Sequence, residues 1–176
     1  MTQPRIEPTL IWQSPIGIAY DEFSATVVKE RLARADSLDP RITEIVRLSC
    51  ARTHDCRVCQ SLRDVTAREA GLGDDLTDQI DRFEQSDFPE SWKVALRITD
   101  ATILSPGMID DQLRADARRH FSDTQITEIL FDIMKWSWQK GLVALRVEAE
   151  MDGIRDVRYQ ADGEALLGEA ALQPAS

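Results

Sequence analysis

The stretch that decides the fold covers residues 42–71 and reads ITEIVRLSCARTHDCRVCQSLRDVTAREAG. Its first part carries apolar residues at spacings of three and four, which predicts a helix from about Ile42 to Arg52. Thr53-His54-Asp55 predicts a turn, with Asp55 as the N-cap of a following helix that runs to about Ala70. Gly71 supplies the left-handed residue that commonly ends a helix. We therefore expect two helices joined by a tight turn.

The same helical spacing recurs on both sides of this stretch, and strict alternation over strand lengths is hard to find. Ser122-Asp123-Thr124-Gln125 forms a capping-box pattern, and its helix is expected to continue toward Glu150. Pro106-Gly107 predicts a break between helices. Further helices are expected from Ser24 to Ala35, Leu76 to Phe83, Pro89 to Leu104 and Met108 to His120. The predicted fold class is therefore all-α.

One tetrapeptide is repeated, since Ile42-Thr43-Glu44-Ile45 recurs as Ile126-Thr127-Glu128-Ile129 and both copies open an apolar helix. This repeat predicts duplicated helical units. A length of 176 residues fits one domain. We expect an N-terminal segment over residues 1–20, the helical domain over residues 21–153, and a C-terminal arm over residues 154–176 that could pack against a neighbouring subunit.

Net charge, apolar runs and cysteine positions disfavour several classes of function. The formal net charge of −10 disfavours binding to nucleic acid or to an anionic membrane surface. The N-terminus has no basic region followed by an apolar one, and no run approaches the ~20 apolar residues that span a bilayer. All three cysteines lie between Cys50 and Cys59, which is not the framework of a disulfide-rich secreted domain. The sequence therefore predicts a cytoplasmic protein with a local thiol function.

Cys56 and Cys59 form a CxxC pair. With Asp55 as the N-cap, both cysteines share one face of the first helical turn, where they could form a disulfide. The positive end of a helix favours a thiolate, and Arg63 would add a cation on the same face. This pattern is typical of a redox pair. A structural role for buried cysteines remains open, as does a zinc site formed by Cys50, Cys56, Cys59 and His54.

The stretch also carries a glutamate, Glu44, twelve residues before Cys56. Glu44 with Cys56 and Cys59 resembles the pattern of the AhpD-like alkylhydroperoxidase branch of the carboxymuconolactone decarboxylase family, and the likeness continues more loosely to about Gly153. The resemblance implies an AhpD-like helical domain that assembles as trimers or hexamers. It also implies a hydroperoxide substrate and a dithiol reductant or redox adaptor protein, without a cofactor or metal.

By this resemblance, Cys59 is the peroxidatic cysteine, which becomes a sulfenic acid, and Cys56 donates a proton and then forms the disulfide. Glu44 would belong to the proton relay that serves Cys56. Taken from the residues alone, Glu44 is instead a flank residue that can pair with Arg47 at i+3.

The sequence departs from the family pattern where Arg63 replaces the histidine that closes the motif. Arginine keeps its proton at any useful pH, so it can stabilise a thiolate or bind an anion but cannot shuttle protons. His54 is the nearest candidate to replace the missing histidine.

Two alternative functions remain open at this point. One is a decarboxylase-type enzyme acting on a small lactone acid, with Arg63 binding its carboxylate. The other is a helical oligomer without catalysis.

Overall fold

The computed structural model describes residues 13–23, 37–137, 153–160 and 165–173. The helices are α1 Pro15–Phe23, α2 Pro40–Thr53, α3 Arg57–Gln60, α4 Val65–Glu69, α5 Asp74–Thr77, α6 Glu90–Leu104, α7 Asp111–His120 and α8 Asp123–Ser137. The strands are β1 Leu62–Asp64, β2 Arg155–Tyr159 and β3 Ala165–Leu167. Three 3-10 turns cover Ile80–Gln85, Pro106–Met108 and Gly168–Leu172.

Helices α2, α6 and α8 pack against one another and enclose the main core. The apolar stripe predicted for the first helix of the central stretch faces this core, with Ile45 and Val46 completely buried. Each such side chain contributes about 1.5–3 kcal/mol by its removal from water. The core also includes residues from α6 and α8, namely Val94, Ala95, Leu96, Ile129 and Ile133. The all-α fold class is confirmed.

Side-chain caps begin two of the helices, and the one at α8 was predicted. The Asp39 side chain caps α2 by accepting a hydrogen bond from the Arg41 amide at 2.9 Å, which was not predicted. At the start of α8, the Ser122 amide donates to Gln125 Oε1 at 3.0 Å. The Gln125 amide donates in return to Ser122 Oγ at 3.3 Å, which completes the capping box. Gly71 has a φ of 97° and lies just after α4.

The predicted helix from residue 56 to residue 70 is wrong. The segment divides into α3, β1 and α4, because its backbone groups find partners far along the chain. The strand β1 pairs in parallel with β2, with Asp64 opposite Val157. The Asp64 side chain then caps α4 through the Thr66 amide at 3.0 Å. Tertiary pairing therefore overrides the local helical pattern.

The N-cap of α3, the helix that contains Cys59, also differs from the prediction. Cys56 is the N-cap of α3, and its Sγ lies 3.2 Å from the Cys59 amide. Asp55 instead has a φ of 51°, a left-handed conformation that aspartate tolerates better than most residues. The chain therefore turns at Asp55, and the helix begins one residue later than expected.

Segments beyond the central stretch agree with the predictions in part. Helix α6 matches its predicted range closely, while the helix expected from Leu76 to Phe83 divides into α5 and a 3-10 turn with a kink at Arg82. The helix predicted from Ser24 to Ala35, and any continuation of α8 beyond Ser137, lie outside the described residues. Within the described part of the chain, none of the helices combines the length and apolar character needed to cross a bilayer.

The C-terminal segment contributes a small sheet with the strand order β1-β2-β3. Strand β2 pairs in parallel with β1 and antiparallel with β3, so β2 lies between β3 and the segment that follows the cysteine pair. This sheet was not predicted. The domain boundaries at residues 20 and 153 stay predictions.

The two copies of the repeated tetrapeptide lie in α2 and α8, which contact each other. Their glutamates, Glu44 and Glu128, are both buried. The duplication of helical units stays a prediction.

Candidate redox site

Cys56 and Cys59 are joined in a disulfide across the first turn of α3, with their Cα atoms 5.3 Å apart. The Cys56 amide donates to the Ala51 carbonyl in α2 at 2.9 Å, which fixes the start of the turn. The prediction that the two sulfurs can bond to each other is confirmed.

The two cysteines differ in their access to solvent. Cys56 is 3% exposed and packs against Ala51, whereas Cys59 is half-buried. A reagent that approaches from solvent therefore meets Cys59 before it meets Cys56.

Cys50 is fully buried in the main core and is a free cysteine. Burial raises the pKa of its thiol to about 12. A thiol of this kind is inert at neutral pH. Across the residues that the structure describes, no group of three or more His, Cys, Asp and Glu side chains is arranged to hold a metal ion.

Glu44 and Arg47 form an ion pair one turn apart on α2, and both side chains are only 2% exposed. Arg47 Nε donates to Glu44 Oε2 at 2.7 Å, and Arg47 Nη2 donates to Glu44 Oε1 at 2.8 Å. The Asp64 amide donates to Glu44 Oε1 at 3.1 Å. Burial acts to lower the pKa of Arg47, but the combined effects of Glu44, Tyr159 and Asp64 outweigh it, and the pKa is raised. The arginine therefore stays charged.

Arg47 also binds the backbone that follows the cysteine pair. Its Nη1 donates to the Cys59 carbonyl and its Nη2 to the Leu62 carbonyl, each at 2.8 Å. The i+3 spacing from Glu44 predicts the ion pair, but the sequence contains no local signal for the two carbonyl contacts. Arg47 is thus the site residue that sequence reasoning missed.

Arg63 does not share a helical face with the cysteines, because it lies in β1. Its Nη1 donates to the carbonyls of Gln60 at 2.7 Å and Leu62 at 2.9 Å, and its Nε donates to Asp74 Oδ1 at 3.1 Å. The guanidinium therefore holds the loop after α3 and ties it to α5.

His54 is 8% exposed and is the C-cap residue of α2, two positions before Cys56. Its amide donates to the Cys50 carbonyl at 3.1 Å. A role for its imidazole in proton transfer stays a prediction, as does the proton relay through Glu44.

No protein-family model matches the chain. Uncharacterized proteins from Mycobacterium tuberculosis strains CDC 1551 / Oshkosh and H37Rv are 38% identical to it over 140 residues, which are 78% of this chain and 49% of each relative. The chain thus spans about half the length of these curated relatives.

Among the solved structures that resemble this one is a crystal structure of a protein of unknown function from Agrobacterium tumefaciens, suggested to be the antioxidant defence protein AhpD. The TM-score is 0.63 at 20% sequence identity, and the match covers 80% of this chain and 99% of that chain. At this level of identity the likeness establishes the fold. The chain therefore has an AhpD-like helical fold with a disulfide-bonded cysteine pair at the start of α3.

Proposed function

We propose that this chain reduces hydroperoxides through the Cys56–Cys59 pair. The observation that carries the proposal is the asymmetry of the pair, in which a half-buried Cys59 is bonded to a buried Cys56. The accessible sulfur is suited to attack a peroxide, and the enclosed sulfur is suited to resolve the product. The AhpD-like fold supports the same assignment.

The reaction begins with the reduced pair. The Cys59 thiolate attacks the peroxide O–O bond and becomes a sulfenic acid, while the departing alkoxide takes the Cys56 proton and leaves as an alcohol. The Cys56 thiolate then attacks the Cys59 sulfur, forms the disulfide and releases hydroxide. An external dithiol supplies two electrons and two protons to regenerate the thiols. Both electrons that reduce the peroxide therefore come from the cysteine pair.

The use of Cys56 as the proton donor agrees with the chemistry of Arg63. An arginine at this position cannot give up a proton to the leaving group. Its guanidinium is also engaged with Asp74 and two carbonyls. These contacts remove the main support for the lactone-acid alternative, which needs Arg63 to bind a substrate carboxylate.

The remaining parts of the assignment are a dithiol reductant or redox adaptor protein, a homo-oligomeric state and a cytoplasmic location. Leu130, Phe131 and Met134 lie exposed on α8, which supports the proposal of an oligomer. Light scattering on the purified chain measures this state directly.

Peroxide consumption tests the proposal. Wild-type protein supplied with dithiothreitol should consume cumene hydroperoxide, and Cys59→Ser should abolish turnover because the attacking sulfur is lost. Cys56→Ser should keep the first step, so that dimedone traps a sulfenic acid at Cys59, detected by mass spectrometry. Cys50→Ala is the matched control, and it should retain wild-type turnover. Unchanged peroxide consumption by Cys59→Ser would overturn the assignment.

A further inference from the structure

We propose that Arg47 is a positioning residue of the redox pair, oriented by Glu44, and that its buried positive charge stabilises the reduced form of Cys59. This inference rests on the proposed redox function and assigns the buried ion pair a part in it. Glu44 then serves the pair through Arg47 rather than by direct contact with Cys56.

The contacts of Arg47 place its charge on the backbone of the attacking cysteine. The Cys59 carbonyl accepts from Nη1 and the Leu62 carbonyl accepts from Nη2, so that one planar guanidinium closes the turn between α3 and β1. Arg47 is 2% exposed, which limits screening of its charge by water. A cation held in this way favours a nearby thiolate.

The contacts of Glu44 fix the direction of this guanidinium. The three hydrogen bonds described for its carboxylate come from Arg47 Nε, Arg47 Nη2 and the Asp64 amide. Glu44 occupies one edge of the guanidinium while Nη1 reaches the Cys59 carbonyl. The ion pair is therefore a dipole whose positive end faces the backbone carbonyl of Cys59.

Two further titratable groups interact electrostatically with Arg47. Asp64 on β1 and Tyr159 on β2 both interact with it electrostatically, in addition to Glu44 on its own helix. Uncharged carbonyls accept the hydrogen bonds that Arg47 donates to the backbone. These carbonyls are present whether the cysteines are oxidised or reduced. The charge of a Cys59 thiolate exists only after reduction, so the electrostatic effect shifts the redox equilibrium.

The equilibrium of the Cys56–Cys59 pair with glutathione buffers tests the proposal, with the reduced fraction read by alkylation and mass spectrometry. Glu44→Gln keeps the shape of the side chain and removes the anion that offsets Arg47, so it should shift the equilibrium about threefold toward the reduced pair. The double variant Arg47→Met with Glu44→Gln removes both charges and should shift it about tenfold toward the disulfide, or about 30 mV. Arg47→Lys keeps the charge and should stay within about threefold of wild type.

The matched control lies on the same helix. Arg52 donates from Nη2 to the Thr77 carbonyl at 2.8 Å and pairs through Nη1 with Asp81 at 3.0 Å. The double variant Arg52→Met with Asp81→Asn removes an ion pair and a carbonyl contact of the same helix that do not involve the cysteines, and the glutathione equilibrium should stay unchanged. Equal shifts in the two double variants, or a shift toward the disulfide in Glu44→Gln, would overturn the role of Arg47. If the double variant at Arg47 does not fold, the threefold shift expected for Glu44→Gln and the unchanged equilibrium expected for Arg52→Met/Asp81→Asn still test the role of Arg47.

The outcome is separable from that of the proposed function. Failure of the wild-type protein to consume peroxide sinks the peroxidase assignment, while the glutathione equilibrium remains measurable. A Glu44 that acted only as a proton relay would leave this equilibrium unchanged when converted to glutamine, and that result would also overturn the inference.

Discussion

Cys50 and Cys56 are both buried, yet only Cys56 is placed to react with Cys59. Cys50, in α2, lies in the main helical core. Cys56 packs in a separate small cluster with Ala51, which follows Cys50 in α2. Adjacent helical positions are rotated by about 100°, so the two sulfurs lie on different sides of α2. At this scale, the environment of each sulfur separates the free cysteine from the disulfide-bonded pair, although all three lie within ten residues.

The burial of Cys50 predicts a pH effect on stability. The thiol pKa is raised to about 12 by burial, so the folded protein keeps a neutral thiol at pH values where the unfolded chain ionises, above about 8.5. The resulting stabilisation is present below the unfolded pKa and is lost as the pH rises through the folded pKa. Urea unfolding under reducing conditions should therefore give a free energy that falls more steeply above about pH 9 for wild type than for Cys50→Ala. Parallel pH curves for the two proteins would contradict this expectation.

At the scale of secondary structure, the sequence predicts elements whose signals are local. The α8 capping box and the apolar stripe of α2 contain their own determinants, and both form as expected. Strand β1 does not contain the determinants of its own conformation, because it depends on pairing with β2 about ninety residues later and on side chains in α2. For the same reason the Cys56–Cys59 disulfide and the Glu44–Arg47 ion pair could be predicted from spacing, while the contact from Arg47 to the Cys59 carbonyl could not.

Gly71 provides a test of one local signal. Its φ of 97° lies in the left-handed region, where a β-carbon costs about 1–2 kcal/mol. Gly71→Ala should therefore lower the free energy of unfolding by about that amount, measured by urea denaturation. Gly107→Ala is the matched control, since neither position has an atom within 4 Å of an added β-carbon and Gly107 does not have a positive φ. A similar effect at both positions would show that backbone conformation is not the cause at Gly71.

At the scale of the whole molecule, the C-terminal strands are connected to the redox pair through a series of contacts. Val157 in β2 lies opposite Asp64 in β1, and the Asp64 amide binds Glu44, which orients Arg47. On the surface, Arg68 in α4 bridges Asp74 and Asp156. Exposed ion pairs of this kind contribute little, so the buried contacts carry most of the connection. The small sheet therefore supports the loop that holds Cys59.

Val157→Ala tests this connection, since the Val157 side chain is fully buried at the centre of the sheet. Loss of two carbon atoms and formation of a small cavity should cost about 2 kcal/mol. The loss should also be local: amide hydrogen exchange at residues 62–64 should accelerate more than exchange in α6, because β1 loses support while the helical core keeps its own packing. Ile154→Ala, at a side chain exposed beside the same strand, should change the free energy of unfolding by less than about 0.5 kcal/mol. Uniform acceleration of exchange across the chain in Val157→Ala would mean that the sheet and the helical core open as one unit. In that case the segment that follows Cys59 cannot open without unfolding of the whole protein.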